Sequence, residues 1–264
     1  MDKKVVIKDK SVFYRVLGQG KPVVLIHGVP VDGEIWKQQV AILEQRCRLI
    51  IPDLPGSGRS EMTGDTSMEA MADVIKAILD AEAMLEVILI GHSMGGYISL
   101  AFVEKYPGML KALGLFHSSA YADNEEKKAA RKKNIAFIQK NGSYKFIQQS
   151  TPGLFGDKFK KEHPGTVDTI IENYKNADPY SLAAYQEAMM QRPDRRELLK
   201  QIDKPVLFVI GEHDTAIPFK DSMEQCHLPA LSYIHILKDA GHMGMLEEAE
   251  KSNSILEAFL NDIL

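Results

Sequence analysis

Val87-Ile88-Leu89-Ile90-Gly91-His92-Ser93-Met94-Gly95-Gly96-Tyr97 sets the architecture of this chain. Residues 87–90 are apolar without alternation, which predicts a strand buried on both faces, as at the centre of a parallel sheet. The Gly-x-Ser-x-Gly spacing that follows carries little weight alone. Its context carries more, because it closes a strand pattern and opens a helix pattern. A strand turning sharply into a helix holds its turn residue, Ser93, in a strained conformation with the hydroxyl projecting from the sheet edge. Gly91 and Gly95 leave room where a Cβ would clash. The helix opening at Met94 aims its first N–H groups at the space where an oxyanion would form. A competing role for Ser93 is only to cap that helix.

Outward from this stretch, similar apolar runs recur at residues 23–27, 48–51, 110–116, 206–210 and 233–237. Amphipathic segments lie near residues 35–45, 68–83, 94–106 and 246–260. Residues 5–8 and 11–17, parted by Asp9-Lys10, predict an opening antiparallel hairpin. This alternation predicts an α/β protein with a mostly parallel, eight-stranded twisted sheet flanked by helices. The rhythm breaks after the sixth strand. Residues 118–201 show helical patterns, no convincing strand, and breakers at Pro152-Gly153, Pro164-Gly165, Pro179 and Pro193. They are expected to form a helical cap (118–201) inserted into a core built from residues 1–117 and 202–264. The insertion carries 15 Lys and Arg against 11 Asp and Glu, so the rest of the chain holds the negative charge.

Composition narrows the function classes. With 264 residues, 45% apolar and 26% charged, the chain suits one well-buried domain with an insertion, not a disordered or fibrous protein. A net charge of −4 gives no reason to expect nucleic acid as a partner. The start, Met1-Asp2-Lys3-Lys4-Val5-Val6, lacks a signal-peptide pattern, and no window approaches the ~20 apolar residues of a membrane helix. Cys47 and Cys226 are far apart and lack a metal-ligand spacing. They read as buried thiols suited to a reducing cytoplasm, the expected location.

A serine hydroxyl at neutral pH needs an adjacent base. His242, in Asp239-Ala240-Gly241-His242-Met243-Gly244, follows an apolar run and precedes the last helix, which places it at the same sheet edge. The carboxylate to orient it is Asp214, where the chain leaves the run at 206–210, and the order Ser93, Asp214, His242 is the one this architecture uses. Glu212 and His213 are rivals beside Asp214; Asp239 has poor reach. The loop His27-Gly28-Val29-Pro30 offers the Val29 N–H as a second oxyanion donor beside that of Met94, since Pro30 has none to offer. Trp36, Met94, Met189, Met190 and Met243 are candidate walls of an apolar acyl pocket, with core packing the competing account. The basic run Lys127-Lys128…Arg131-Lys132-Lys133 reads first as a solvated helix face, and second as a site for acidic substrates. No metal cluster and no cofactor are expected.

Together these residues resemble the α/β-hydrolase family over nearly the whole chain. His27-Gly28-Val29-Pro30 resembles its oxyanion loop, and residues 53–60 its turn after the next strand. Residues 91–96 resemble its nucleophile elbow, while residues 211–214 and Gly241-His242 resemble its acid and base loops. Haloalkane dehalogenases and epoxide hydrolases of similar build carry Asp where this chain has Ser93. The resemblance implies a serine hydrolase acting on a small-molecule ester or thioester through an acyl-enzyme. Cleavage of a carbon–carbon bond beside a ketone, peracid formation, and a ligand-binding receptor with little turnover remain open alternatives.

Overall fold

The computed structural model describes residues 1–263. Eight strands form a single sheet: β1 (Asp2–Ile7), β2 (Lys10–Leu17), β3 (Lys21–Ile26), β4 (Cys47–Pro52), β5 (Val87–His92), β6 (Leu110–Phe116), β7 (Val206–Gly211) and β8 (Ser232–Leu237). Their spatial order is β1-β2-β4-β3-β5-β6-β7-β8. The pairs β1/β2 and β2/β4 are antiparallel, and every later pair is parallel. The opening hairpin turns one residue earlier than the sequence reading. Ile7 pairs with Lys10, so Lys8 and Asp9 form the turn, both at positive φ (48° and 64°). That is the handedness a two-residue hairpin turn requires.

The unbroken apolar runs sort by the period of two. Val23, Leu25, Leu49, Ile51, Ile88 and Ile90 face one core. Val24, Ile26, Ile50 and Leu89 face the other. The first core is covered by α1 (Lys37–Leu43) and α12 (Ala249–Ile263). The second is covered by α2 (Met68–Ala81) and α3 (Met94–Lys105). The predicted last helix is interrupted at Glu248, which separates a short α11 (Gly244–Glu247) from α12.

Between β6 and β7 the chain is helical: α4 (Glu125–Asn141), α5 (Ser143–Ser150), α6 (Asp157–Glu162), α7 (Pro164–Asn173), α8 (Pro179–Gln191) and α9 (Arg196–Gln201). Pro164 and Pro179 do not break helices here but start them, at the position where the missing N–H would have no partner anyway. A tenth helix, α10 (Phe219–Gln225), follows β7. Both cysteines are free and buried. No helix among the described residues is long and apolar enough to cross a membrane.

The crossing of β3, β5 and α3 is the tightest part of this frame. A Cβ on Gly95 would lie 2.3 Å from the Ile26 carbonyl oxygen and 2.8 Å from that of His27, and one on Gly91 would lie 2.3 Å from the Gly95 carbonyl. These are backbone atoms held in sheet and helix, so they cannot step aside. Gly95→Ala is therefore expected to destabilise the fold by about 3 kcal/mol, read as a shift in the urea midpoint at unchanged slope. A variant within about 0.5 kcal/mol of wild type would show that the crossing tolerates more than its geometry allows.

Candidate active site

Ser93 sits between β5 and α3 with φ 54° and ψ −118°, a left-handed conformation that costs a non-glycine residue about 1–3 kcal/mol. It occupies the N-cap position of α3, yet its side chain makes no capping hydrogen bond. The capping role is thus not what the hydroxyl does. Its backbone instead anchors the turn: the Phe116 carbonyl accepts from the Ser93 N–H (3.0 Å), and Ser118 Oγ donates to the Ser93 carbonyl (2.8 Å). The Oγ faces a cavity of about 200 Å³ that His242 also lines.

His242 and Asp214 come from the loops after β8 and β7. His242 Nδ1 donates to Asp214 Oδ2 at 2.7 Å, with both side chains about 2% exposed. Asp214 Oδ1 accepts from the Ala216 and Ile217 N–H groups at 2.8 and 2.9 Å. The rivals fall away, because Glu212 and His213 are exposed and Asp239 pairs outward with Lys158 at 2.9 Å. Burial alone would raise the Asp214 carboxyl. The neighbouring His242 charge and the hydrogen bonds from His117 and His242 outweigh it and hold the group well below the usual carboxylate range.

Two further histidines, His92 and His117, are fully buried around this pair. The Gly244 N–H donates to His117 Nε2 at 3.2 Å, which leaves the proton on Nδ1, 3.4 Å from Asp214 Oδ2. His92 Nε2 donates to the His242 carbonyl at 3.0 Å, and its ring lies 4.9 Å from that of His242. Both pKa values are pushed down, first by burial; Asp214 opposes the shift at His117, whereas His242 and His117 reinforce it at His92. The ligand atoms of His117, Asp214 and His242 lie within 4.8 Å of one another, close enough to be weighed as a metal site. The imidazole nitrogens that face the carboxylate carry its hydrogen-bonding protons, so they present no lone pair to an ion there.

Glu247 holds the base loop in place, a role with no motif to announce it. Its carboxylate accepts from the N–H groups of Gly241 (3.0 Å), Met243 (2.9 Å) and Gly156 (2.7 Å), and the His242 N–H donates to the Leu154 carbonyl at 2.7 Å. The helical insertion is thereby fastened to the loop that carries His242. On the other side, His27 braces its own loop: the Leu54 N–H donates to Nε2 (2.9 Å) and Nδ1 faces the Gly28 carbonyl (2.8 Å). Val29 lines the cavity, and Met94 opens α3, where N–H groups have no helical acceptor.

The pocket candidates divide. Met189 lines the cavity, together with Val29, Phe146, Leu154 and Ile217. Trp36 and Met243 do not; they belong to the core on the α1/α12 face, where Trp36 stands edge-on to Phe116 at 5.5 Å. Met190, one residue beyond Met189 on α8, is turned off the cavity by the 100° helical step. The basic run splits as well. Arg131 faces the cavity with Asn134, while Lys132 and Lys133 are exposed. A separate cleft of about 620 Å³ opens between residues 56–60 and 173–182; it shares Pro30 with the cavity but contains none of Ser93, Asp214 and His242.

With this geometry in hand, residues 21–249 match the model of the α/β-hydrolase fold family, and the chain belongs to that family. It is 29% identical to a thermophilic esterase from Thermogutta terrifontis, with a TM-score of 0.93 and 99% of each chain covered. It is 25% identical to the pimeloyl-[acyl-carrier protein] methyl ester esterase of Vibrio cholerae, over 91% of this chain and 94% of that one. It is also 25% identical to 3-oxoadipate enol-lactonase 1 of Acinetobacter baylyi, over 91% and 89%.

The buried histidines predict how stability depends on pH. His27, His92 and His117 all have pKa values lowered chiefly by burial, whereas the unfolded chain takes up protons near pH 6.5. Their contribution is complete above that pH and is lost as the pH falls below it, by up to about 1.4 kcal/mol per unit for each histidine. The Asp214 pKa is also lowered, so its contribution is complete above about pH 3.9 and adds no slope in this window. Unfolding free energy should therefore fall between pH 6.5 and 5, and His92→Gln should flatten that slope by about one proton. A flat profile across this range in the wild type would contradict the assignment of neutral buried imidazoles.

Proposed function

We propose that the protein is a serine hydrolase of short-chain carboxylic esters, with Ser93 as nucleophile, His242 as general base and acid, and Asp214 as the orienting carboxylate. One observation carries this reading: a strained, uncapped Ser93 hydroxyl shares a small cavity with an imidazole whose far nitrogen is 2.7 Å from a buried carboxylate. Residues 118–201 act as the cap that roofs this cavity.

The cycle is acyl transfer. His242 Nε2 takes the Ser93 proton as Oγ attacks the acyl carbonyl, and the N–H groups of Val29 and Met94 receive the oxyanion. His242 then protonates the departing alcohol. A water, deprotonated by the same nitrogen, cleaves the acyl-enzyme and returns the proton to Ser93. Asp214, accepting from Nδ1, fixes the tautomer that leaves Nε2 free to accept, and stabilises the imidazolium as it forms. The esterase names among the relatives support the bond type. The cavity supports the size. At 200 Å³ it holds the volume of about six or seven waters, below the ~300 Å³ at which sites for drug-sized ligands begin.

Ser93→Ala should lower kcat on p-nitrophenyl acetate by about 10⁴–10⁶-fold, and equal rates for variant and wild type would end the triad reading. Across esters of acetic to octanoic acid with one leaving group, kcat/KM should peak at four carbons or fewer and drop at least about 10-fold by eight, because each excess methylene must be held outside the cavity. A rise with chain length would mean that the cavity is not the acyl site.

A further inference from the structure

The wall of the cavity opposite the apolar residues is a cationic hydrogen-bonding pole. Residues at a helical spacing on α4, among them Lys127, Arg131, Asn134 and Ile138, turn inward. Arg131 Nε donates to Asp123, and its Nη1 donates to Gln186 Oε1 at 3.3 Å. Asn134 Nδ2 donates to the same Gln186 oxygen at 3.3 Å. That oxygen is thus occupied twice, which directs the Gln186 amide nitrogen away from both. Gln186 is only 5% exposed and lines the cavity, and among the described residues its Nε2 makes no hydrogen bond. Arg131 Nη2 likewise has no protein acceptor among the described residues.

The charge balance behind this wall is uneven. Among the described residues Asp123 is the only carboxylate paired with Arg131, and it is shared with Arg192, whose Nη1 lies 2.8 Å from Asp123 Oδ1. Arg192 is 6% exposed and packs over the ring of Tyr97, a further residue of the cavity. Lys127, one turn before Arg131 on the inward face of α4, has its own partner in Asp221 at 3.9 Å. Among the described residues, two guanidinium groups therefore share one carboxylate beside a half-open cavity, leaving one net positive charge. Buried charge is stable when paired, and a planar guanidinium fork matches the two oxygens of a carboxylate.

We propose that this pole, made by Arg131 and Gln186 with Asn134 behind them, binds a carboxylate at the far end of the acyl group, so that the preferred substrates are half-esters of short dicarboxylic acids. The proposal rests on the hydrolase reading above for its chemistry, not for the binding of the anion. The apolar residues Phe146, Leu154, Met189 and Ile217 line the same cavity and would flank the methylenes of such an acyl group. Salt should weaken the selection, since part of it is long-range attraction.

The test compares methyl hydrogen succinate with methyl succinamate, which differ only in a terminal carboxylate against an amide. Cleavage is followed by proton release for wild type, Arg131→Lys and Arg131→Gln. Wild type should favour the carboxylate ester in kcat/KM. That preference should fall by about 10- to 100-fold in Arg131→Gln and by less in Arg131→Lys, which keeps the charge and loses the fork. A wild type without the preference, or an Arg131→Gln variant that loses equally on both esters, overturns the proposal. Calorimetric titration of succinate into Ser93→Ala supplies a second arm that needs no turnover. Binding that disappears in Ser93→Ala/Arg131→Gln supports the anionic pole even if neither ester is cleaved, in which case the hydrolase reading alone has failed. Succinate that does not bind Ser93→Ala, or binds the double variant as well, overturns it.

Discussion

At Ser93 the chain must leave a fully buried strand and enter a helix buried from Met94 to Val103 within one residue, and the rest of the site is built around that turn. A Cβ on Gly28 would stand 2.8 Å from the Ser93 Cβ and 3.0 Å from the His92 carbonyl. The loop after β3 is therefore pressed against the turn after β5. This close approach keeps Val29 and Ser93 beside one cavity. It also sets a strained backbone, worth about 1–3 kcal/mol, against the burial of β3, β5 and α3. A site on such rigid elements keeps its geometry without ordering a loop for each turnover.

The second constraint is electrostatic. Asp214 is buried yet holds its charge, because two N–H groups and two imidazoles surround it. His117 and His92 do not face the cavity. Their place is behind His242, where His117 supplies a second proton toward Asp214 and His92 holds the His242 carbonyl. Kept neutral by burial, they add hydrogen bonds without adding positive charge to the site. Glu247 extends the arrangement outward by tying residue 156 of the helical insertion to the base loop. Roof and base are thus mechanically coupled.

The strands are legible because burial on both faces writes unbroken apolar runs, and the candidate site is legible because Ser93, Asp214 and His242 stand where such runs end. The turn at Lys8-Asp9 and the break at Glu248 were displaced by one residue or hidden, since local pairing decides them and the apolar pattern does not. Trp36 and Met243 are candidate pocket walls in the sequence, with core packing as the competing account. Position along a loop does not say which face of the sheet a side chain meets, and both fell into the core. Arg131 was half-visible within a run of lysines. What separates it from Lys132 is a single helical step of 100°, and the turning of that step toward Asp123 and Gln186 depends on packing against α8 that no local signal encodes.

The central claim is that Ser93, His242 and the N–H groups of Val29 and Met94 converge on one point where charge develops. A crystal structure of the protein reacted with a small fluorophosphonate tests it most directly. The account predicts phosphorus bonded to Ser93 Oγ, its phosphoryl oxygen held by the Val29 and Met94 N–H groups, and His242 Nε2 within hydrogen-bonding reach of the adduct. An adduct on another side chain, or one on Ser93 with its phosphoryl oxygen turned away from both N–H groups, would contradict it.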